Sequence, residues 1–226
     1  MDDEALFIPQ QVPLFPLPEV VLFPRTILPL HIFEPRYREM MADALNGERA
    51  IAVALLKPGY EPLYYTRRAP VHSTLGVGSI VEHEKLEDGN YNLLLRGVAR
   101  ATIVEEVGEH DYRVARVEPV ETYCNSSEGQ IDRLRKELCA AIRGNPGLDP
   151  DLRKHWLRLT RADVELDALS DLIAAGVPIE AEVRQCLLNE PDAYTRATML
   201  VDQMRTLAAI ARNYWRALRP DANSMN

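Results

Sequence analysis

Histidine, cysteine and clustered acidic side chains are the residues through which this chain could do chemistry. Glu82-His83-Glu84 is the densest set of potential metal ligands. On a β-strand the two glutamates share one face and the histidine points to the other, whereas a metal ion needs three or four ligands that converge on one point. Because no further ligand lies near this tripeptide, we expect a solvent-exposed strand face, with no metal and no other cofactor.

The other candidate catalytic residues lie apart from one another and outside any recognisable catalytic motif. His31 lies in an apolar run, which favours a hydrogen-bonded core or corner residue over a general base. Reactive cysteines need surroundings that stabilise the thiolate. Cys139 and Cys186 fall in amphipathic helical segments and are expected to pack, and Cys124 lies in a polar linker and is expected to be exposed. We therefore predict no catalytic residue and no enzymatic activity; a triad assembled in space from distant residues stays open.

One long connecting segment has the composition of a binding surface. Lys57–Thr74 separates two strand-like runs and is too rich in proline for regular structure. Connections longer than about a dozen residues are often functional, and tyrosine and arginine are enriched where binding energy concentrates. The predicted peptide-binding residues are Tyr60, Tyr64, Tyr65, Arg67 and Arg68. The alternative is that the tyrosines fold back over the neighbouring strands.

Composition and charge exclude several classes of protein. The net charge is −8, and the first 122 residues carry 12 basic and 19 acidic side chains. An acidic surface repels phosphate, which argues against nonspecific binding to nucleic acid or anionic membranes. The acidic start has no secretory signal pattern, and no run approaches the roughly 18 apolar residues of a membrane span. Three widely spaced cysteines fit a reducing compartment, so we expect a cytoplasmic protein.

The first half of the sequence reads as short strands with one early helix. Seven of the sixteen prolines fall within the first 35 residues, which favours edge-like strands and tight corners. Pro35 opens a helix that Gly47 ends. From residue 49, apolar and alternating runs are separated by turn signals, among them glycines suited to a bulge at Gly76 and Gly78 and a hairpin at Asp88-Gly89. This pattern predicts a compact barrel over residues 1–122.

From residue 123 the apolar periodicity becomes helical, which predicts a helical bundle over residues 123–226. A capping box at Ser127 and Gln130 opens the first helix. The next helices are expected at 150–159, from near Asp163 to Gly176, from Pro178 onward, and from near Pro191 to Leu218. The last helix carries apolar residues at heptad spacing, which fits the spine of an antiparallel bundle or, alternatively, a homodimeric coiled coil: Ala193, Ala197, Leu200, Met204, Leu207, Ala211, Tyr214 and Leu218.

Several motifs resemble the N-terminal, substrate-binding LON domain of Lon proteases. They are PLFPL (13–17), VVLFP (20–24), LPLHIFEPRY (28–37), LLLRGVARATIVE (93–105) and the helical segment 172–204. The resemblance covers essentially the whole chain. The 226 residues contain neither a GxxxxGK[ST] phosphate loop nor a recognisable serine-lysine peptidase segment. The resemblance implies a stand-alone LON domain of α+β class: a β-pseudobarrel of the PUA type with one inserted helix, followed by an α-helical bundle.

The function implied by this resemblance is noncatalytic recognition of unfolded or extended polypeptides, as an adaptor in protein quality control. Besides the tyrosine and arginine residues above, the candidate surface includes Phe33, Tyr37, Met40 and Met41, which are expected to be mostly core. Two alternatives stay open. One is RNA binding, as in PUA-type barrels, and the other is an assembly subunit of a separate protease or ligase. The sequence leaves the oligomeric state open.

Overall fold

The computed structural model describes residues 8–217, with six strands followed by a helical region. In chain order the elements are β1 Gln11–Leu17, β2 Ile27–Ile32, α1 Pro35–Asn46, β3 Ala50–Leu55, a 3-10 turn at Glu61–Leu63, β4 Thr74–Lys85, β5 Tyr91–Val107, β6 Arg113–Pro119, α2 Glu128–Arg143, α3 Pro150–Leu159, α4 Leu166–Gly176, α5 Ala181–Asn189 and α6 Ala193–Ala217. The predicted α+β class, with one helix inserted among the strands and a helical C-terminal region, is confirmed.

The strands close into a small barrel because β5 is long enough to pair with three partners. Its first half pairs with β2, its second half pairs with β6, and β4 follows most of its length. The pairs β4–β3, β3–β1 and β1–β6 complete the ring, with only β1–β3 parallel. Among the described strands β2 pairs with β5 alone. One edge of β2 therefore has no strand partner within residues 8–217.

Glycines allow the chain to cross closely over two of these strands. A Cβ at Gly76 would lie 2.0 Å from the Leu22 carbonyl oxygen, and one at Gly97 would lie 2.0 Å from the Phe23 carbonyl oxygen. The Arg25 N–H donates to the Gly97 carbonyl at 2.8 Å and fixes the crossing segment. The bulge expected near Gly76 and Gly78 is confirmed as a register shift after Val77. The segment that leads into β2 is therefore set by backbone contact.

The barrel core follows the predicted patterning. Every residue of β3 is buried, and the first half of β5 alternates between buried and exposed positions. Pro35 opens α1 and Gly47 ends it, as expected. Tyr37, Met40 and Met41 are core residues, whereas Phe33 is 61% exposed. The hairpin at Asp88-Gly89 joins β4 to β5, with Gly89 at φ 83°.

Two predicted helix starts are wrong. The fourth helix of the C-terminal half begins at Ala181 and not at Pro178, because the Ile179 N–H donates to the Val177 carbonyl at 2.8 Å and Glu180 is still extended, with ψ 151°. Likewise α4 begins at Leu166 rather than near Asp163, since the chain leaves α3 through a turn in which the Ala162 N–H donates to the Arg158 carbonyl. At the predicted capping box, the Gln130 side chain accepts from the Ser127 N–H at 3.0 Å.

The contacts divide the chain into two compact units. The first comprises residues 1–122 and 180–191, and the second comprises residues 123–179 and 192–226. The division into domains 1–122 and 123–226 stays a prediction, and the units differ from it in one segment, since α5 groups with the strands. Within the first unit, the Gln185 amide donates to the Thr74 carbonyl at 2.8 Å and buried Arg100 donates to the Leu188 carbonyl at 3.0 Å.

The heptad positions of α6 are buried in the first half of the helix and more exposed further along it. Ala193, Ala197, Leu200 and Met204 are fully buried within the second unit, against α2 and α4. Tyr214 is exposed, and Leu218 lies outside the described residues. The bundle interpretation is therefore confirmed for the first half of the helix.

Candidate functional site

The Tyr–Arg loop, defined as Tyr60–Arg68, connects β3 to β4 and brings its three tyrosines together. The Tyr60 and Tyr64 ring centroids lie 5.9 Å apart, and the Tyr64 and Tyr65 centroids lie 5.0 Å apart with the rings perpendicular. The Tyr65 side chain is 83% exposed, and the other two are half-buried. The 3-10 turn is the regular structure within the loop. The tyrosines therefore form a small aromatic cluster that faces solvent at Tyr65.

Side chains at the start of α1 hold the aromatic end of the loop. The Arg36 guanidinium donates to the Glu34 carboxylate at 3.0 Å and to the Tyr64 carbonyl at 3.2 Å, and the Tyr64 hydroxyl donates to Glu34 at 3.5 Å. Partial burial and the Glu34 negative charge raise the pKa of Tyr64, against the opposing charge of Arg36. The Tyr64 hydroxyl therefore remains protonated and available as a donor well above neutral pH.

The arginines of the loop lie at its other end. The Arg67 guanidinium donates to the Gly108 carbonyl in the β5–β6 turn at 3.0 Å, and the Arg68 backbone N–H donates to the Thr66 hydroxyl at 3.1 Å. Both arginine side chains are exposed. The structure thus collects the five sequence-predicted residues on one loop, tyrosines at one end and arginines at the other. Their role in binding stays a prediction.

A second candidate surface, which the sequence reasoning missed, lies on the sheet face that β2, β5 and the end of β4 share. We call it the strand groove, a cavity of about 460 Å³ lined by Pro29, Leu30, His31, Glu82, His83, Glu84, Asn92, Leu93 and Leu94. The strand register builds it: β2 lies beside β5, and β5 lies beside the end of β4. The available signal was the alternation in ILPLHIF, where Ile27, Pro29, His31 and Phe33 share one strand face and are all exposed.

The hydrogen bond expected for His31 is confirmed, but the expected core position is wrong. His31 is exposed because it occupies an outward-facing position of an edge strand. Its Nδ1 lies 2.8 Å from Asn92 Oδ1, across the β2–β5 pair, and its ring stacks on Phe33 at 6.1 Å. Ile27, 52% exposed, continues this apolar face toward the start of the strand. The groove therefore combines apolar side chains with the polar side chains of His31 and Asn92.

The acidic side of the strand groove is the tripeptide Glu82-His83-Glu84. All three residues are exposed, as expected for a solvated strand. His83 contacts Arg49, whose Nη2 lies 3.5 Å from the imidazole Nδ1. Glu82 and Glu84 pair in register with Leu94 and Asn92. The groove thus has an apolar floor and a negatively charged wall.

One set of three potential metal ligands occurs within the described part of the chain, at a different place. Oxygen or nitrogen atoms of Glu39, Asp43 and His110 lie within 4.8 Å of one another, and all three residues are exposed. The Tyr112 hydroxyl donates to Asp43 at 2.7 Å, and its ring stacks on His110 at 4.9 Å. Burial, followed by this hydrogen bond, raises the pKa of Tyr112. The carboxylate of Asp43 therefore already has an internal partner.

Two of the three cysteines are exposed, and the thiol of Cys124 is not activated. Cys124 is exposed, as expected, and partial burial together with the Asp192 carboxylate raises the pKa of its thiol. A raised pKa disfavours the thiolate that nucleophilic chemistry needs. Cys186 is exposed rather than packed, because it lies on the outer side of α5 while its neighbours Gln185 and Leu187 face inward. Cys139 is half-buried in α2.

The fold is that of a Lon-type substrate-binding domain. The family profile of the ATP-dependent protease La (LON) substrate-binding domain matches residues 11–206. The chain belongs to this family. The match confirms the resemblance seen in the sequence and covers the substrate-binding domain only. No helix in residues 8–217 is long and apolar enough to cross a membrane.

Two longer relatives agree with the assignment to the Lon substrate-binding family. The chain is 31% identical over 202 residues to Lon protease 2 of Myxococcus xanthus and 29% identical over 202 residues to the Lon protease of Anaeromyxobacter dehalogenans. Each alignment covers 86% of this chain and 23% of the relative, so the chain spans about a quarter of their length.

Two solved structures share the fold. The Lon N-terminal domain protein from Xanthomonas campestris superposes with a TM-score of 0.62 at 21% identity, over 85% of this chain and 97% of that one. The N-terminal domain of the Mycobacterium avium complex Lon protease gives 0.65 at 18% identity, over 86% and 98%.

Proposed function

We propose that this chain binds unfolded or extended polypeptide segments and does so without catalysing a reaction. The observation that carries the proposal is the unpaired edge of β2, whose apolar outward-facing residues flank the strand groove. An extended peptide adds to such an edge through main-chain hydrogen bonds, which tolerate many sequences, while alternate side chains enter neighbouring pockets and give selectivity. Pro29 removes one donor from this edge, which discourages permanent pairing with another sheet.

The Tyr–Arg loop is the second part of the proposed site. Tyr65 offers a large amphipathic surface at low entropic cost. Its ring packs against the ring of Tyr64, which is itself held by its contacts to Glu34 and Arg36. Arg67 and Arg68 add planar, multidentate donors. We propose that Tyr60, Tyr64, Tyr65, Arg67 and Arg68 contact side chains of the bound segment.

The biological setting follows from the same proposal. Membership of the Lon substrate-binding family supports a role as an adaptor in protein quality control, in the cytoplasm. We propose that such an adaptor presents captured segments to a separate protease or ligase. The chain itself is proposed to have neither ATPase nor peptidase activity, and ATP-stimulated degradation of casein that persists through stringent purification would contradict this.

Capture of an unfolded model polypeptide tests the function. Reduced, carboxymethylated lactalbumin is immobilised, and retention of the chain is measured for three double variants: Ile27→Ala with Phe33→Ala in the groove, Tyr64→Ala with Tyr65→Ala in the loop, and Tyr214→Ala with Trp215→Ala as control. The control pair is exposed and aromatic but lies on α6. Loss of a hot-spot aromatic side chain costs about 2 kcal/mol of binding, so the first two variants should each bind roughly 30-fold more weakly.

Thermal unfolding of the same variants separates binding from folding. Ile27, Phe33 and Tyr65 are exposed, so their truncation should leave the midpoint nearly unchanged. If the parent does not retain the polypeptide, the proposed function is wrong. If it does and the loop variant binds as well as the parent, the loop is not part of the site. An unfolded loop variant would indicate that the tyrosines serve barrel packing.

A further inference from the structure

A second cavity lies at the arginine end of the Tyr–Arg loop. It measures about 350 Å³ and we call it the arginine pocket, lined by Arg67, Arg68, Ala69, Pro70, Val71, Ser73, Ile103, Glu106 and Arg113. Val71, Pro70 and Ile103 supply apolar lining, and the charged lining residues comprise three arginines and one glutamate. The pocket is therefore a locally positive site in a unit whose sequence is mostly acidic.

One arginine of the pocket is fixed and already neutralised. Arg113 is 7% exposed, its Nε donates to Glu106 Oε2 at 2.8 Å and its Nη2 donates to Glu106 Oε1. The remaining nitrogen, Nη1, donates to the Ala69 carbonyl at 2.6 Å. This two-point pair is the geometry that arginine and carboxylate prefer. Arg113 therefore builds a rigid wall and anchors the end of the loop.

The other two arginines leave the pocket with excess positive charge. The Arg67 guanidinium makes one hydrogen bond, to the neutral Gly108 carbonyl, and this contact orients it without cancelling its charge. Arg68 is adjacent and exposed. Since a guanidinium carries five donors in a fixed fork, the Arg67 and Arg68 side chains that line the pocket present donors that match carboxylate oxygens.

We propose that the arginine pocket binds aspartate or glutamate side chains of the captured polypeptide, so that the chain prefers segments in which acidic residues lie next to an aromatic or aliphatic one. This inference rests on the proposed function and names its substrate class. Arg67 and Arg68 receive the carboxylates, Val71 and Ile103 contact the neighbouring apolar side chain, and the tyrosines extend the contact along the loop. A polypeptide suits this site better than RNA, because the acidic unit repels a continuous phosphate backbone.

Matched peptides test the preference. Three fluorescein-labelled, unstructured 12-residue peptides share two phenylalanines and one leucine and differ at three positions, which are aspartate, asparagine or lysine. We expect fluorescence anisotropy at 50 mM salt to give an affinity for the aspartate peptide roughly tenfold higher than for the asparagine peptide, and weaker binding still for the lysine peptide. The advantage should shrink at 500 mM salt, where exposed charges are screened.

Charge-matched variants locate the effect. Arg67→Ala with Arg68→Ala should abolish the aspartate preference, so that the aspartate and asparagine peptides bind this variant with equal affinity. The control, Arg133→Ala with Lys136→Ala, removes two exposed cations from α2 and should keep the preference. If the parent binds the asparagine peptide with no preference for aspartate, or if the control loses the preference equally, the arginine pocket is not an acid site and the proposed function stands. Binding of no peptide overturns both, and displacement of the aspartate peptide by single-stranded RNA would assign the pocket to nucleic acid instead.

Discussion

The strand groove and the Tyr–Arg loop are two surfaces of the same barrel that are built in opposite ways. The groove is set by backbone: strand register, a bulge in β4, and glycines that let residues 22–26 cross over β4 and β5. The loop is set by side chains at its two ends, Arg36 and Glu34 at one and Arg113 at the other. The groove is therefore as rigid as the barrel, whereas the loop can change conformation while the barrel stays folded.

The largest effect is expected where the backbone support of the groove is broken. Gly97→Ala places a Cβ 2.0 Å from the Phe23 carbonyl oxygen and 2.8 Å from its carbon. Because both are backbone atoms of a buried residue, the crossing segment must shift, and the free energy of unfolding should fall by about 3 kcal/mol. Urea denaturation measures this loss, and polypeptide retention should fall with it.

Gly129→Ala is the matched control, since a Cβ there meets no heavy atom within 4 Å. It lies in the first turn of α2, where alanine is favoured over glycine, so stability should stay level or rise slightly. An unchanged midpoint for Gly97→Ala would show that the crossing segment does not determine the groove.

A smaller effect is expected at Tyr37, which lies beneath the anchor of the loop. The Arg36 guanidinium carbon lies 4.4 Å from the centre of its ring, and burial raises the pKa of Tyr37 to about 12. Because the folded-state pKa exceeds the ordinary value of about 10, folding favours the neutral phenol. That contribution is complete below pH 10 and is lost as the pH rises from 10 to 12, by up to about 3 kcal/mol.

Unfolding free energies measured across this alkaline range check the prediction. Tyr37→Phe should lose stability less steeply than the parent between pH 10 and 12, whereas Tyr65→Phe, at an exposed position, should follow the parent. Parallel curves for the parent and Tyr37→Phe would contradict the assignment.

The smallest change in stability, with the largest local consequence, is expected at the base of the loop. Arg36→Met removes the ion pair with Glu34 and the hydrogen bond to the Tyr64 carbonyl, at a cost of about 1 kcal/mol. The loop should then open more often, and chymotrypsin should cleave after Tyr64 or Tyr65 faster than in the parent. Arg133→Met, on the exposed side of α2, should leave cleavage unchanged. Equal cleavage rates in all three proteins would mean that Arg36 does not hold the loop.

The barrel could be predicted from the sequence because its signals are local. Pro35 and Gly47 bound α1, Asp88-Gly89 makes the hairpin, and an all-apolar run makes β3. The site was accessible only in part. The loop residues could be selected by composition, but the groove depends on which strands are neighbours, and this follows from pairing between residues 59 to 69 positions apart.

The buried ion pair between Arg196 and Asp171 could likewise not be predicted from the sequence pattern. Arg196 reads as a polar residue on a long helix, yet it is fully buried, and its Nε lies 3.2 Å from the equally buried Asp171 carboxylate and donates to the Ser170 hydroxyl at 3.0 Å. An arginine, an aspartate and a serine in two separate helices carry no periodic signal that marks them as partners. Only the packing of α4 against α6 brings them together.

The chain passes between the two units three times, and this has a consequence for how the protein is made. Helix α5, which supplies the carbonyl that accepts from buried Arg100, is synthesised about 60 residues after the last strand of the barrel. At about 5–20 residues per second, a ribosome needs roughly 3–12 s to cover that distance. Throughout this interval the nascent barrel lacks α5, so the Arg100 guanidinium and the Thr74 carbonyl at the start of β4 lack the partners that α5 supplies. The barrel therefore reaches its final form only after most of the helical unit has been translated.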